Sequence, residues 1–457
     1  MRRVASRTAL PHLAGSSSPS SPLSLHVTAS SSTPSSRLSL ISQHLSGGPS
    51  ISNSSRTRSI SPIQTRRLSS SSQCSMSSQP EHPTLLIPGP IEFDDDVLQS
   101  MSHYSESHVG PGFVATFGDT ISMLRKLFQT TDPSAQPFVI SGSGTLGWDI
   151  VAANLVEPGE DVLVLSTGYF GDGFADCFET YGAKVTKLTG TVGGRPQLDQ
   201  VEEALKGKKY KMVTVTHVDT STGVLSELEN LSKLVKSVSP ETLLVVDGVC
   251  SVACEEIQFD AWKLDGVVTA SQKAIGCPAG LSISMFSGKA IDAFKARKTP
   301  PATYFASMKN WMPIMQNYEA KKPSYFATPS PQLIHALHTA LTQILSKPLS
   351  ERFAKHREVS DKIKKAVADL GLKQVASKPE DQAHGMTAIT CLSLSRRPTC
   401  CPSWPRPVSS GLAVFTRKSH PSMCGSATWA SLDPARKDVD KALNALSNGL
   451  SECGYKA

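Results

Sequence analysis

Acidic residues are missing from the first 80 positions of this 457-residue chain, and so is lysine. Eight arginines stand there instead: Arg2, Arg3, Arg7, Arg37, Arg56, Arg58, Arg66 and Arg67. About one third of the segment is serine, so it has too little apolar mass to bury a core. Subtracting the eight arginines from the net charge of +7 leaves the rest of the chain at −1. A near-neutral body lacks the basic footprint of a nucleic-acid binder, and no nucleic-acid partner is expected. The chain also lacks an apolar run of about 18 residues, so no membrane-spanning helix is expected. Its ten cysteines are scattered, with no secretory signal before them, which argues against a disulfide framework. Cys250 and Cys254 are spaced like a metal-ligand pair, but no second pair or histidine follows at a fitting distance. They read as small buried residues, and no metal site is expected.

Arginine-rich, serine-rich and acid-free is the makeup of a mitochondrial presequence. RRLSSSS, starting at Arg66, reads as a processing site, and residues 1–80 as a disordered targeting segment. A disordered tail with no address is the plain alternative. RLSLISQHL, Arg37 to Leu45, is similar to the peroxisomal type 2 signal, which keeps the peroxisome open as the second destination.

From Pro137 to Ser287 short apolar runs alternate with amphipathic stretches. PFVI (137–140), DVLVLS (161–166), KMVTVTH (211–217), TLLVVD (242–247), DGVVTA (265–270) and SISMFS (282–287) read as strands. Their continuous apolar character suits a parallel sheet covered on both faces. GWDIVAANLV (147–156) and LDQVEEALKG (198–207) read as helices between them, which predicts an α/β layered domain. In such domains ligands gather at the carboxyl ends of the strands. That rule draws together Ser143 to Thr145, Phe170, His217 to Thr222, Asp247 and Lys273. A helix over 333–345, stopped by Pro348, and a charged one over 351–372, stopped by Gly371, lead into a smaller carboxyl-terminal domain. The predicted division is a large domain over 81–348 and a small one over 349–457.

SGSGTLGWD, from Ser141, follows a strand and opens a helix, a place where backbone N–H groups bind anions. Gly142, Gly144 and Gly147 also fit the dinucleotide pattern G-x-G-x-x-G. That pattern needs an acid at the end of the next strand, and Ser166-Thr167-Gly168 supplies none. A single phosphate fits better, with a ligand-free turn as the alternative. Asp247 ends a buried strand in a carboxylate, which is costly unless paired. It either caps a turn or holds a protonated pyridine nitrogen. Lys273, in TASQKAIGCPAG, is either surface charge or the amine that forms a Schiff base with an aldehyde cofactor. Phosphate cradle, aromatic face, acid and lysine occur in that order, and pyridoxal 5′-phosphate needs all four. A lysine displaced by substrate becomes the base that moves the Cα proton.

The stretch from TLLIPGP (84–90) to about Gly385 resembles the class V aminotransferases. It is most similar to the alanine–glyoxylate / serine–pyruvate aminotransferase family, in a fungal-type form. The motifs are PGP (88–90), ISGSGT (140–145), THVDTSTGV (216–224), VVDGV (245–249), SQKAIGCPAG (271–280) and PSYFATPS (323–330). The resemblance implies a fold type I homodimer, with a mainly parallel sheet in the large domain and a smaller α/β domain. It implies pyridoxal phosphate as cofactor and small amino and 2-oxo acids as substrates. It gives Lys273 the Schiff base and Asp247 the ring nitrogen. It places Gln272, Ser143, Gly144 and Thr145 at the phosphate, Thr220 near the phenolic oxygen, and Phe170 on the ring. Tyr325 and Thr328 would reach the neighbouring subunit's phosphate, with Tyr325 also facing substrate, and Gly89 would lie beside the substrate. The implied reaction moves an amino group from alanine or serine to glyoxylate, giving pyruvate and glycine. It would serve glyoxylate detoxification and glycine supply.

After Ile389 the family pattern stops. Residues 391–431 show no strand or helix period and hold four of the ten cysteines. The family places there an arginine strand whose fork clamps the substrate carboxylate. Codons can be chosen for SMCGSATWAS (422–431) that read YVRFGHMGV in another frame, a string similar to that strand. Residues 390–431 therefore read as translated out of frame, with a divergent insert as the alternative. As written, the chain lacks the clamp, and Arg417 does not stand in its place. Two other functions stay open: a lyase or desulfurase on the same fold, and a cofactor-binding protein without turnover. The terminal helix pattern resumes over 432–450.

Overall fold

The computed structural model describes residues 78–80, 82, 85, 87–390, 412–413, 423–426 and 438–452. All belong to one compact unit, Gln73–Ala457. Residues 1–77 of the targeting segment, with both signals, lie outside the described residues, as does most of the stretch read as out of frame.

Nine strands form between Gln136 and Phe286. They are β1 (Gln136–Ser141), β2 (Asp161–Ser166), β3 (Lys184–Thr189), β4 (Met212–Thr216), β5 (Val218–Asp219), β6 (Val224–Leu225), β7 (Leu243–Asp247), β8 (Gly266–Ala270) and β9 (Leu281–Phe286). Seven make one sheet in the order β1-β9-β8-β7-β4-β2-β3. Its pairs from β3 through β2, β4 and β7 to β8 are parallel. Strand β9 runs against both β8 and β1. The six strands read from the sequence are all present. Strand β3 is the one that escaped, because KVTKLT mixes exposed and half-buried positions as an edge strand does. The two short strands β5 and β6 form a separate antiparallel pair.

Helices α1 (Asp95–Ser100) and α2 (Pro111–Phe128) precede the sheet. Five more are interleaved with it or follow it: α3 (Gly144–Leu155), α4 (Tyr169–Thr180), α5 (Leu198–Gly207), α6 (Leu228–Val238) and α7 (Gly288–Lys295). Then come α8 (Met308–Glu319), α9 (Pro331–Ile344) and α10 (Leu349–Asp369). Helix α2 starts with proline at its first position, where no N–H is needed, and ends in a left-handed Gln129 at φ 57°. Phe113, Phe117, Ile121, Leu124 and Phe128 share its buried face. In α9 Ile334, Leu337, Leu341 and Ile344 share the buried face at the spacing that a 3.6-residue period gives.

Beyond α10, strand β10 (Thr387–Thr390) pairs with β12 (Met423–Ser426), which pairs with β11 (Leu412–Ala413). Helix α11 (Asp438–Glu452) follows. A second apolar cluster, Ile363, Val367, Leu372 and Ile389, packs against Val439, Leu443 and Leu446. The two strands at 412–413 and 423–426 correct the expectation of no strand after Ile389. Strands this short pair through backbone groups and need no side-chain alternation.

Helix α10 also buries His356, whose Nε2 finds no hydrogen-bond partner. Burial pushes its pKa down to about 3, and Arg352 and His384 add to the effect. The unfolded chain binds this proton below about pH 6.5, whereas the folded chain resists it until about pH 3. Stability therefore rises with pH through that window and is complete above it. His356→Leu should remove about 2 kcal/mol of the stability difference between pH 5 and pH 7.5. Thermal or urea unfolding at the two pH values measures it, and an unchanged difference would refute the assignment.

Candidate active site

The carboxyl ends of β1, β2, β4, β7 and β8 lie at one edge of the sheet, because those strands all point the same way. The candidate residues follow those ends. Ser143 to Thr145 come after β1, Phe170 after β2, Thr220 after β4, Asp247 at the tip of β7, and Gln272 and Lys273 after β8.

Lys273 is buried, at 9% exposure. Its Nζ donates to the carbonyl of Pro88. The next turn of the chain is tied to the same loop, because the Ile91 N–H donates to the Gln272 carbonyl at 3.2 Å. Gly89 sits between these ties at φ +130°. A Cβ there would lie 2.6 Å from Lys273 Cδ and 2.8 Å from Nζ. The PGP segment and the lysine loop are thus built face to face, and only glycine fits between them. Gly89→Ala should cost about 1–3 kcal/mol in stability and displace the amine. Turnover should fall by more than tenfold in a steady-state assay, and wild-type turnover would contradict the geometry.

The lysine loop is latched internally. The Ser271 hydroxyl donates to the Pro278 carbonyl at 2.7 Å, and the Gly276 N–H to the Lys273 carbonyl at 2.8 Å. Arg352 on α10 donates to the carbonyls of Ala274 and Ala253, both at 2.7 Å. That contact joins the loop to the helix leading toward the second cluster.

Asp247 is fully enclosed, and burial raises its pKa to about 6. The Val249 N–H and the Trp148 indole N–H, each at 3.0 Å, oppose that rise. The Lys273 charge lowers it further, so the amine and the carboxylate act on each other. Ser143 caps α3 without a side-chain cap bond, and it and Thr145 stand exposed at the helix N-terminus. At Gly144 a Cβ would meet Val249 Cγ2 at 3.0 Å, so glycine lets α3 start against the loop that follows Asp247. Phe170 is half-buried at the start of α4. The Thr220 hydroxyl is buried 2.6 Å from Cys250 Sγ.

Two groups of the site had no role in the sequence reading. Asp219 accepts from the N–H groups of Phe170 (3.0 Å), Gly171 (3.1 Å) and Ser221 (2.9 Å), and from the Ser221 hydroxyl (2.6 Å). It therefore fixes the start of α4, and with it Phe170. The signal was an acid followed by hydroxyl residues in THVDTST. Trp148 is the other, since it reads as one more apolar helix residue.

Tyr325 and Thr328 are placed differently. Tyr325 is 62% exposed, with its ring over His108 at 5.0 Å, and Thr328 is exposed as well. Cys250 and Cys254 are free and buried, and the Cys254 thiol is raised further by Glu255. Among the described residues, His103, Glu106 and His335 form one group with metal-ligand chemistry. His335 Nε2 pairs with Glu106, His103 Nδ1 meets the Tyr104 carbonyl at 2.8 Å, and the two rings stack at 4.0 Å. Those contacts account for the trio as a hydrogen bond and a stack.

A buried lysine, a buried acid across from it and a helix N-terminus with free hydroxyls make a site for an aldehyde cofactor carrying a phosphate and a basic ring nitrogen. The donor set fits pyridoxal phosphate: the Val249 and Trp148 N–H groups leave acceptor capacity on Asp247, and the α3 N-terminus offers an anion cradle. The fold and site thus define a pyridoxal-phosphate enzyme. The class-V aminotransferase family model matches residues 90–397, and the chain belongs to that family. The match runs past Ile389, where the sequence pattern was read as ending. Alanine–glyoxylate aminotransferase 1 of Saccharomyces cerevisiae is 47% identical over 315 residues, 67% of this chain and 82% of that protein. L-aspartate–glyoxylate aminotransferase of Paracoccus denitrificans is 30% identical over 67% of this chain and 76% of that protein. The crystal structure of alanine–glyoxylate aminotransferase from Nostoc sp. matches with a TM-score of 0.74 at 27% identity, covering 86% of this chain and 100% of that one.

Proposed function

We propose that the protein moves the amino group of alanine, or of serine, to glyoxylate, so that alanine yields pyruvate and glyoxylate yields glycine. The carrying observation is the buried amine of Lys273, tied to the PGP segment and close enough for its charge to act on Asp247. Glyoxylate recurs in the names of the similar proteins while the donor varies, which supports the acceptor more firmly than the donor. Pyridoxal phosphate, when bound, supplies an electron sink that makes the substrate's α-hydrogen acidic. Lys273 Nζ would take that proton and return it one carbon away. Asp247 would hold the proton on the ring nitrogen. Ser143, Thr145 and the first N–H groups of α3 would hold the phosphate, with Gln272 nearby. Phe170 would cover the ring, and Thr220 would offer its hydroxyl at the ring edge. Glycine formation from glyoxylate with alanine, serine or neither tests the reading. A cofactor-loaded protein that makes no glycine with either donor would overturn it. In the cell the reaction would remove glyoxylate and supply glycine.

The working form we propose is a homodimer. Its support is an aromatic surface around Tyr304 (79% exposed), Phe305 (42%) and Tyr325, where Tyr304 packs edge-on against Phe326 at 5.5 Å. A second copy seated there would bring Tyr325 and Thr328 to the neighbour's phosphate. Sedimentation at micromolar concentration should give a dimer, and a monomer would refute this. We also propose that residues 1–80 direct the protein to the mitochondrion. A fluorescent fusion of that segment should enter mitochondria, and peroxisomal fluorescence would instead assign the address to Arg37–Leu45.

A further inference from the structure

Trp148 lies in the first turns of α3 and is 8% exposed. Its indole N–H donates to Asp247 Oδ2 at 3.0 Å. Its ring stacks on Phe174 at 5.3 Å and 13°, and Phe174 stacks in turn on Phe178 at 4.8 Å. Its edge meets Phe170 at 6.4 Å and 69°. Gly173 leaves room beside the indole, where a Cβ would come within 3.1 Å of Cζ3. One side chain thus touches both the acid assigned to the ring nitrogen and the aromatic ring assigned to the ring face.

We propose that Trp148 is the positioning residue of this pocket: its N–H orients the Asp247 carboxylate, and its ring backs Phe170. The inference rests on the functional reading above, which gives Asp247 the ring nitrogen and Phe170 the ring face. An ionised carboxylate has about four acceptor positions. Val249 takes one on Oδ1 and Trp148 one on Oδ2, which fixes the carboxylate plane and leaves acceptor capacity on both oxygens. Hydrogen bonds to the charged form also keep a buried carboxylate ionised. Without the indole N–H, the acid loses one of those two donors in an apolar surround. The stack on Phe174 and Phe178 holds the indole to one orientation, which a freely rotating donor would lack.

Trp148→Phe keeps the ring on Phe174 and removes only the donor. The dissociation constant for pyridoxal phosphate, measured on apoprotein by equilibrium dialysis, should rise about tenfold, as expected for one lost hydrogen bond to a charged group. In an Asp247→Asn background the same change should alter the constant less than twofold, because the indole acts through the carboxylate. Trp148→His restores a ring N–H and should recover most of the affinity. Equal losses in both backgrounds, or no recovery with histidine, would reduce Trp148 to packing and overturn the proposal. If Asp247→Asn weakens binding and Trp148→Phe does not, this inference alone fails. If neither change affects binding, the reading of the pocket fails with it.

Discussion

Lys273→Ala should abolish measurable transamination, with a loss of about 10³-fold or more, while leaving the fold and most of the cofactor binding intact. The functional reading assigns the amine the transfer of a proton between adjacent carbons, and a positioned acid–base group contributes about 10²–10⁴-fold. The covalent hold on an aldehyde adds to that. The fold should survive because the Ile91 to Gln272 bond still links the two loops after alanine removes the tie to the Pro88 carbonyl. The phosphate cradle at α3 and the acid at the tip of β7 do not depend on the lysine. Single-turnover measurement with alanine on the loaded variant separates chemistry from binding. Turnover within tenfold of wild type would remove Lys273 from the reaction. Partial recovery with added methylamine would identify the lost function as proton transfer, since a small amine can enter the vacated space.

Much of the fold is legible in the sequence. Strands β2, β4, β7 and β8 are buried on both faces, so their residues are mostly apolar and stand out. Because they are parallel, their ends collect at one edge, and an acid at the end of TLLVVD and a lysine after DGVVTA had to fall close together. Interactions that join distant segments were not legible. Trp148 and Asp247 are 99 residues apart, and nothing local marks an indole that donates rather than merely packs. Gly89 could be assigned only by resemblance, because its reason is a lysine Cδ that would sit 2.6 Å from a Cβ. Asp219 stood in a noted stretch, yet its purpose, fixing the start of α4, appears only when the turn after β4 meets the turn after β2.

Restoring the alternative frame across residues 390–431 should raise turnover about 10²–10³-fold over the chain as written. The reason lies in where β12 runs. Its backbone pairs with β10 so that Gly425 lies opposite Ala388 and Cys424 opposite Ile389. In the alternative frame the arginine codon spans Cys424 and Gly425, the middle of this strand. Ala388 in turn packs against Gly223, where a Cβ would be 3.3 Å away, and Gly223 closes the turn that carries Thr220. Strand β10 thus links β12 to the turn that carries Thr220, and the alternative frame would put an arginine on β12 where the written chain has Cys424 and Gly425. A bidentate guanidinium–carboxylate pair orients as well as binds, and losing one partner of such a buried pair costs about 2–5 kcal/mol. The loss should fall on both KM for the amino donor and kcat, because a substrate without its clamp is not held for proton transfer. Chains carrying either version of the segment, assayed side by side for glycine formation, decide the matter. Equal rates would mean that substrate carboxylates are held elsewhere and that residues 390–431 as written are no impediment. A rate gain confined to the restored chain, lost again when its new arginine is changed to glutamine, would place the clamp on β12.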